Sequence, residues 1–368
     1  MKTIIRRAGL AAGLSVAAAA AWATPCDTVL SSYAVYVSLG DSSFASDIVS
    51  NHPECFGGSQ ATSRTQINAT SFVQSGAISN ALAMRQPAQG PGPSAQAGLR
   101  GMAAGSGAGK WNVWGNLNNN DTRQSYTAAN GFKSKNDADI MTTVFGLDYG
   151  LTPTVALGVS AAFDDGDGSG RNFGPGGTPN AIDTDGYLVA PYVGWQIGKN
   201  LSLDASAGWG RGRMDTSANT EATAGRWFAA ANLNYSRWMG NWQFAGRAGY
   251  LHGVEDYGDI KNSATGAKFV GTDAKNTLGQ LRLAAQAGYW MNGVMPYAAL
   301  AYTNDVRRKT TQFGAPDNPI GRDGWLWSLG VNFYSLKDGV TGGIAYSQET
   351  GRGNQAFRGL IANINLRF

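Results

Sequence analysis

The sequence predicts an all-β transmembrane protein: an outer-membrane barrel of about twelve antiparallel strands, preceded by a pore or linker helix. Three observations predict it. Of 368 residues, 51 are glycine, 11% are aromatic and only 15% are charged. From Lys110 onward, apolar and polar residues alternate with period two, which places each set on one face of a strand. The connections alternate between short and long, as they do between the two sides of an outer-membrane barrel.

The alternation is clearest at the C-terminus, where Leu360, Ala362, Ile364 and Leu366 are separated by polar or small residues. A soluble sandwich also alternates in this way, so the pattern alone does not decide the fold. Strands are predicted near 110–118, 139–150, 154–163, 183–197, 201–211, 225–238, 242–251, 276–291, 294–303, 324–336, 340–348 and 356–368.

The lengths of the connections favour a barrel over a sandwich. Short turns rich in Gly, Asn, Asp and Pro alternate with longer segments that we assign to the outer side. An even number of strands places both ends of the barrel on the periplasmic side. The long outer loops are predicted near 119–138, 164–182, 212–224, 252–275, 304–323 and 349–355.

Aromatic residues cluster near the predicted strand ends, which is typical of the girdles at the two membrane interfaces. One girdle is expected beside the short turns, from Tyr149, Trp195, Trp238, Trp242, Trp290, Tyr297 and Tyr334. The other is expected toward the long loops, from Trp209, Tyr250, Tyr302, Trp325 and Tyr346.

Residues 1–23 have the features of a secretory signal peptide. Lys2, Arg6 and Arg7 precede an apolar stretch, and Ala21-Trp22-Ala23 predicts cleavage after Ala23. Export through this route, together with the predicted barrel, predicts the outer membrane of a Gram-negative bacterium as the location.

The next segment, 24–63, contains both cysteines of the chain, Cys26 and Cys55. In the oxidising periplasm, such a pair is expected to form a disulfide. Closing a loop of this length contributes roughly 3 to 4 kcal/mol.

Residues 64–85 are predicted to form a pore helix, and residues 86–109 have the Pro/Gly/Ala/Ser-rich composition of a flexible linker. The helix would be about 33 Å long, close to the thickness of the hydrocarbon layer. No charged residue lies between Arg64 and Arg85, so the helix strands no buried charge in a narrow polar lumen. A helix that packs its apolar residues on another surface is the alternative. The expected pore-facing residues include Ser71, Ser75 and Asn80.

Two stretches support a resemblance to a known family. One is the strand-turn-strand from Phe145 to Gly158, and the other is the closing Ile364-Asn365-Leu366-Arg367-Phe368. Together with the order of helix, linker and C-terminal barrel, they make residues 64–368 resemble autotransporters of type V secretion. The resemblance implies that the barrel, with the assembly machinery, moves the preceding segment to the cell surface while a helix remains in the pore. It also implies a monomer.

The segment before the helix departs from the family pattern, because it holds only about 40 residues. We therefore expect display of a short segment rather than secretion of a large passenger. The alternative is a stand-alone channel or surface-binding barrel that its N-terminal segment plugs. Expected partners are outer-membrane lipid and lipopolysaccharide, periplasmic chaperones, and the assembly machinery, which would recognise Ile364, Leu366 and Phe368 as a terminal signal. Nucleic acid is not expected, because the net charge of +4 is scattered.

No enzyme, cofactor or metal site is predicted. Ser42 lies in a Gly-Asp-Ser-Ser sequence that resembles the nucleophile block of GDSL esterases, but the later blocks of that fold are missing. The stretch 165–170 starts like a calcium loop, yet its twelfth position is Gly176. We interpret it as an acidic outer loop. His252 with Asp256 only faintly resembles an omptin-type protease site.

Three further acidic residues, Asp148, Asp204 and Glu255, are isolated in the sequence. Asp204 is expected to face the lumen, where its charge would affect the polarity of the pore.

Overall fold

The computed structural model describes residues 111–367, except 128–132, 153, 173–179, 218, 267, 269–273, 313–319 and 336–338, together with the helical residues Val29, Ser32, Val35 and Tyr36. Within these residues, no helix is long and apolar enough to cross a membrane. The strands are β1 Trp111–Thr127, β2 Lys133–Gly150, β3 Val155–Asn172, β4 Asn180–Gln196, β5 Leu201–Thr216, β6 Thr220–Met239, β7 Trp242–Tyr257, β8 Lys261–Asn262, β9 Ala274–Tyr289, β10 Val294–Gln312, β11 Asp323–Ser335, β12 Val340–Thr350 and β13 Gln355–Arg367.

The strands form one closed antiparallel barrel. Each long strand pairs with the long strands that precede and follow it in the chain, and the two-residue β8 adds a short pairing to β6. The first and last strands also pair, from Asn112 opposite Arg367 to Gln124 opposite Gln355. The predicted twelve-stranded barrel is therefore confirmed. Closure leaves no unpaired strand edge, which a lipid environment requires.

In contrast to a soluble protein, the barrel wall carries exposed apolar side chains on its outward face and buried polar side chains on its inward face. Strand β1 illustrates this arrangement. Its outward side chains include Trp111 and Leu117, which are 46% and 41% exposed. The inward face of the same strand carries, besides the buried Trp114 and Tyr126 rings, a row of buried amide and hydroxyl groups. Its members are Asn112, Asn116, Asn118, Asn120, Thr122 and Gln124.

The strands extend farther at the outer end than the sequence predicted. β1 continues to Thr127 and β3 to Asn172, so most of the predicted loops 119–138 and 164–182 are strand. Beyond the apolar band, outward residues become polar like the inward ones, so the hydrophobic alternation disappears while the backbone pairing continues. Two outer connections, 217–219 and 351–354, are as short as the turns at the opposite end, so the strict length alternation was wrong there.

The stretch 165–170 is likewise not a loop. It lies within β3 and pairs with β4, from Asp165 opposite Asp185 to Gly170 opposite Asn180. The prediction of an acidic outer loop was therefore wrong, because a paired strand directs alternate residues to opposite faces. Asp165 and Asp167 point outward from the wall.

A row of acidic residues crosses the outward face of the barrel beyond the apolar band. Each member stands directly opposite the next on the neighbouring strand, from β1 to β6. Like charges in this arrangement repel each other and destabilise the pairing. The members are Asp121, Asp139, Asp167, Asp183, Asp215 and Glu221.

This repulsion affects the titration of Asp183, which lies outside the lipid-facing band. Partial burial, a hydrogen bond with Asp167 and the neighbouring carboxylates raise the pKa of Asp183 above its ordinary value of 3.8. A carboxyl group with a raised pKa binds its proton more tightly in the folded state. Ionised Asp183 therefore lowers stability at neutral pH, and this penalty disappears as the pH falls through the raised pKa toward the unfolded value.

We expect Asp183→Asn to raise the melting temperature at pH 7.5, because it removes one charge from the row. The advantage over the wild type should shrink on acidification, since Asp183 itself becomes neutral. Thermal unfolding in detergent between pH 4 and 8 measures both effects. Asp137→Asn is the control and should not raise the melting temperature. Asp137 lies on the same face but stands opposite Arg123 and accepts a hydrogen bond from Ser169. A difference between Asp183→Asn and wild type that stays constant with pH would contradict the argument.

Candidate functional site: the barrel lumen

Long inward side chains lie flat against the wall because inward glycines on neighbouring strands make room for them. A Cβ atom at Gly146 would lie 2.1 Å from the Trp114 ring, and one at Gly158 would lie 2.3 Å from the Tyr192 ring. Neither ring can keep its place if the glycine gains a side chain. This pattern explains part of the high glycine content, and it keeps bulky side chains from projecting across the lumen.

One inward hydrogen-bond chain joins β1, β2 and β4. Trp114 Nε1 donates to the Tyr192 hydroxyl at 2.8 Å, and that hydroxyl donates to Asp148 Oδ2 at 2.6 Å. Asn112 donates to the same carboxylate oxygen at 3.2 Å. The sequence suggested that Asp148 is isolated. This was wrong, because its partners Asn112 and Tyr192 lie on other strands.

A second polar line crosses β5, β6 and β7. Asp204 is buried on the inward face and accepts hydrogen bonds from Asn232 at 2.7 Å and Asn234 at 2.9 Å. Asn234 in turn accepts one from Arg247 Nε at 3.1 Å. The prediction that Asp204 faces the lumen is confirmed, whereas the impression that it is isolated was wrong.

The most deeply buried charges form a network around Arg226 of β6. Arg226 Nη1 contacts both carboxylate oxygens of Asp164 on β3, at 2.9 and 3.0 Å, and its Nε contacts Glu255 on β7. The Tyr257 hydroxyl donates to the same Glu255 oxygen at 3.2 Å. The side chains of Arg226, Asp164 and Glu255 are 3%, 0% and 0% exposed. This network ties together strands that are not neighbours, because β4 and β5 lie between β3 and β6.

Two glycines allow Arg226 to cross the intervening strands. A Cβ atom at Gly212 or Gly186 would lie 2.2 or 2.1 Å from the guanidinium group. Gly212 and Gly186 stand opposite each other, and Gly186 stands opposite Asp164. The guanidinium group therefore occupies the space above Gly186 and Gly212, which any larger residue at these positions would fill. Inward apolar residues pack beyond this network, toward the outer end: Ile182, Met214, Ala222, Ala224 and Tyr257.

A third network holds a loop segment at the outer mouth, on the wall formed by β10 to β13. Arg352, in the β12–β13 connection, contacts Asp305 at 2.8 Å, Glu349 at 3.0 Å and the carbonyl oxygen of Gly321 at 3.1 Å. Arg308 contacts the same Gly321 carbonyl oxygen at 3.1 Å, and the carbonyl oxygen of Ile320. We call residues 320–322 the mouth segment. These contacts fix the mouth segment between β10 and the β12–β13 connection.

The aromatic girdles are only partly as predicted. At the short-turn end, Trp238, Trp290, Tyr297 and Tyr334 occupy inward positions by strand alternation, and Trp290 lies 6.3 Å from Trp238 and 5.2 Å from Tyr334 between ring centroids. The sequence placed all four in the lipid-facing girdle. This was wrong, because closeness to a turn does not fix the face of a residue. The outward aromatics at this end include Trp111, Trp195, Tyr235, Trp242 and Tyr289, and those at the outer end include Trp209, Tyr250, Trp325 and Tyr346.

The remaining predicted site residues divide between the wall and the part of the chain outside the described residues. Ile364 and Leu366 lie on β13 with outward, exposed side chains. His252 also faces outward, where its ring lies 5.3 Å from that of Trp227, while Asp256 binds Lys275 at 2.7 Å. The residues outside the described part are Ala23, Cys26, Ser42, Cys55, Ser71, Ser75, Asn80 and Phe368.

Sequence reasoning did not find the Arg226 network. A signal was present, since Arg226 sits between outward Gly225 and Trp227 and so had to face the lumen. Its partners Asp164 and Glu255 also occupy inward positions. Which of them meet depends on the register of five strands. Among the described residues, no group of three or more His, Cys, Asp or Glu side chains is arranged to hold a metal ion.

Solved structures that resemble this barrel share its fold at low sequence identity. The translocator domain of autotransporter NalP from Neisseria meningitidis superposes with a TM-score of 0.55 at 12% identity, over 72% of this chain and 91% of that one. The transport unit of AIDA-I from Escherichia coli gives 0.55 at 11%, over 80% and 99%. The β domain of BrkA from Bordetella gives 0.51 at 15%, over 70% and 100%.

The barrel sequence matches one known family. No protein with a curated description matches this chain. The model of the autotransporter β-domain matches residues 113–347, nearly two thirds of the chain. Together with the closed barrel, this match indicates an outer-membrane protein of Gram-negative bacteria. The chain therefore belongs to the autotransporter β-domain family.

Proposed function

We propose that the barrel moves the segment that precedes it, residues 24–63, to the cell surface, and that residues 64–85 remain in the lumen. One observation carries this proposal. β1 starts at Trp111, opposite Tyr149, at the same end of the barrel as the short turns and the end of β13. In outer-membrane barrels, this end faces the periplasm. The upstream chain thus meets the barrel on the periplasmic side, and must cross the lumen to reach the surface.

The chemistry of the lumen supports this role. The inward face of β1 presents neutral amides and hydroxyls, and Arg226 binds both Asp164 and Glu255. The predicted helix has no charge between Arg64 and Arg85 and is rich in small and polar residues, so it adds no buried charge to such a surface. The NalP and AIDA-I structures carry the names translocator domain and transport unit, which is consistent with transport.

A stand-alone channel plugged by its N-terminal segment is the second candidate. The mouth segment favours it, because Arg308 and Arg352 hold residues 320–322 at the outer mouth. Under either function, we propose that the barrel-assembly machinery recognises outward Ile364 and Leu366 together with Phe368.

An epitope tag after Ser59 tests the direction of transport. On intact cells, or in the medium, we expect antibody to detect this tag as readily as a control tag after Thr265, in the turn at the outer end. A second control tag after Lys199, in a short periplasmic turn, should react only after permeabilisation. If the Ser59 tag behaves like the Lys199 tag, the segment is a periplasmic plug, and the channel replaces the translocator as the function.

A further inference from the structure

A groove lies on the outward face of the barrel, between β3 and β6, outside the lumen. Its volume is about 720 Å³, and the outward side chains that line it include those of Phe163, Asp185, Tyr187, Arg211 and Arg213. It combines two aromatic rings, two guanidinium groups and a carboxylate. This composition suits an amphiphile with a charged headgroup better than it suits lipid chains alone.

The register of the strands fixes the height of the groove in the membrane. Tyr187 stands directly opposite Arg211. The next outward pair toward the periplasm is Trp209 opposite Trp227, whose side chains are 61% and 47% exposed. Outward tryptophans mark the interface with the membrane. Arg211 therefore lies at the height of lipid headgroups, on the outer side of the membrane.

The two arginines of the groove differ in their partners. Arg213 Nε contacts Asp215 at 2.9 Å, and its Nη2 contacts Glu221 at 3.2 Å. Arg211 is exposed and forms no ion pair with any acidic side chain in the described part of the chain. Arg211 thus presents a cation whose charge is available to a ligand, while Arg213 is fixed by two carboxylates.

The floor of the groove is open because Gly225 has no side chain. A Cβ atom at Gly225 would meet no other atom within 4 Å, and the residue stands opposite Arg211. The outward position between Arg211 and β7 is therefore empty. A sugar ring can approach the backbone there while remaining beside the guanidinium group.

We infer that this groove binds the headgroup of a phosphorylated glycolipid of the outer leaflet, the lipid A portion of lipopolysaccharide. Arg211 donates hydrogen bonds to a phosphate, a charge-assisted contact. Asp185 accepts hydrogen bonds from sugar hydroxyls. Phe163 and Tyr187 pack against the sugar and the first methylene groups, above the tryptophans that contact the acyl chains.

The acidic row favours a lipid over a free anion. Asp183 and Asp215 lie one step farther out than the groove and repel dissolved phosphate. The acyl chains of a lipid hold its phosphate at the height of Arg211, so repulsion from the row does not carry it away. The inference is independent of whether the barrel exports its N-terminal segment.

Binding of lipid A to the purified full-length protein in detergent, measured by native mass spectrometry, tests the inference. We expect lipid A to bind at least about tenfold more tightly than dephosphorylated lipid A with the same acyl chains. Arg211→Gln should weaken binding by a similar factor. Arg358→Gln, at an exposed outward arginine on β13, should leave it unchanged.

Gly225→Leu provides a second variant, since it fills the groove without changing any charge. We expect it to weaken binding of lipid A as Arg211→Gln does. The inference is wrong if both variants bind like the wild type, or if the dephosphorylated lipid binds equally well. Displacement by millimolar inorganic phosphate would also overturn it, because the groove would then be an anion site and not a lipid site.

Discussion

Replacing Arg226 by methionine is expected to lower the free energy of unfolding by about 3–5 kcal/mol. The substitution keeps much of the side-chain volume but removes the cation. Asp164 and Glu255, whose side chains are both 0% exposed, would then face each other's charge inside the lumen without a counter-ion. Removing one partner of a buried ion pair is costly because the remaining charge has already lost its hydration.

Urea unfolding in detergent, followed by tryptophan fluorescence, measures this effect. Arg213→Met is a matched control, because Arg213 also binds two carboxylates but its side chain is 53% exposed. A pair in contact with water contributes about 0–1 kcal/mol, so we expect little change there. Adding Asp164→Asn and Glu255→Gln to Arg226→Met should restore part of the loss. Equal effects of Arg226→Met and Arg213→Met would refute the role of burial.

Replacing Arg352 by alanine is expected to release the mouth segment. Arg352 contacts Asp305, Glu349 and the carbonyl oxygen of Gly321 while its side chain is only 4% exposed. Without it, residues 320–322 would keep, within the described part of the chain, only the contacts of Arg308 and two backbone hydrogen bonds, Gly321 N to Gly353 O at 2.8 Å and Asp305 N to Arg322 O at 2.7 Å. We expect cleavage by trypsin after Arg322, in the purified barrel, to become at least about tenfold faster, because cleavage follows the population of the open form.

Mass spectrometry of the cleavage products, over a time course, checks this expectation. Gly321→Val should have the same effect without removing a charge, since even a Cβ atom at Gly321 would lie 2.5 Å from the backbone nitrogen of Gly353. Arg123→Ala, which breaks an exposed pair with Asp121, serves as the control. If cleavage after Arg322 is unchanged in both mouth variants, these contacts do not close the mouth.

The sequence predicted the barrel well but not the length of its strands. Alternation stops being visible near Asp165, where outward residues become as polar as inward ones. Hydrophobicity reports on contact with lipid, whereas a strand continues wherever its backbone finds a partner. The strand ends at Thr127 and Asn172 therefore had no hydrophobic signal, because pairing with a neighbouring strand is a property of the assembled barrel.

The lumen shows even more clearly the difference between what the sequence predicts and what only strand pairing decides. Alternation placed Asp204 on the inward face, as the structure confirms. The alternation pattern could not assign the inward aromatics to a face. Tyr297 and Tyr334 lie next to turns, where the order of inward and outward positions is easily lost. Nor could the pattern identify the partners of Arg226, since these lie 62 residues before it and 29 residues after it in the chain.

The sequence by itself determined the fold class, the number of strands and the family, because each of these depends on a pattern that repeats along the chain. Only the tertiary structure decided which charges meet, which glycines make room for them, and where the groove beside Arg211 lies. The physical reason is register. The pairing of β3 to β6 brings Asp164 opposite Gly186, Gly186 opposite Gly212, and Arg226 over both glycines.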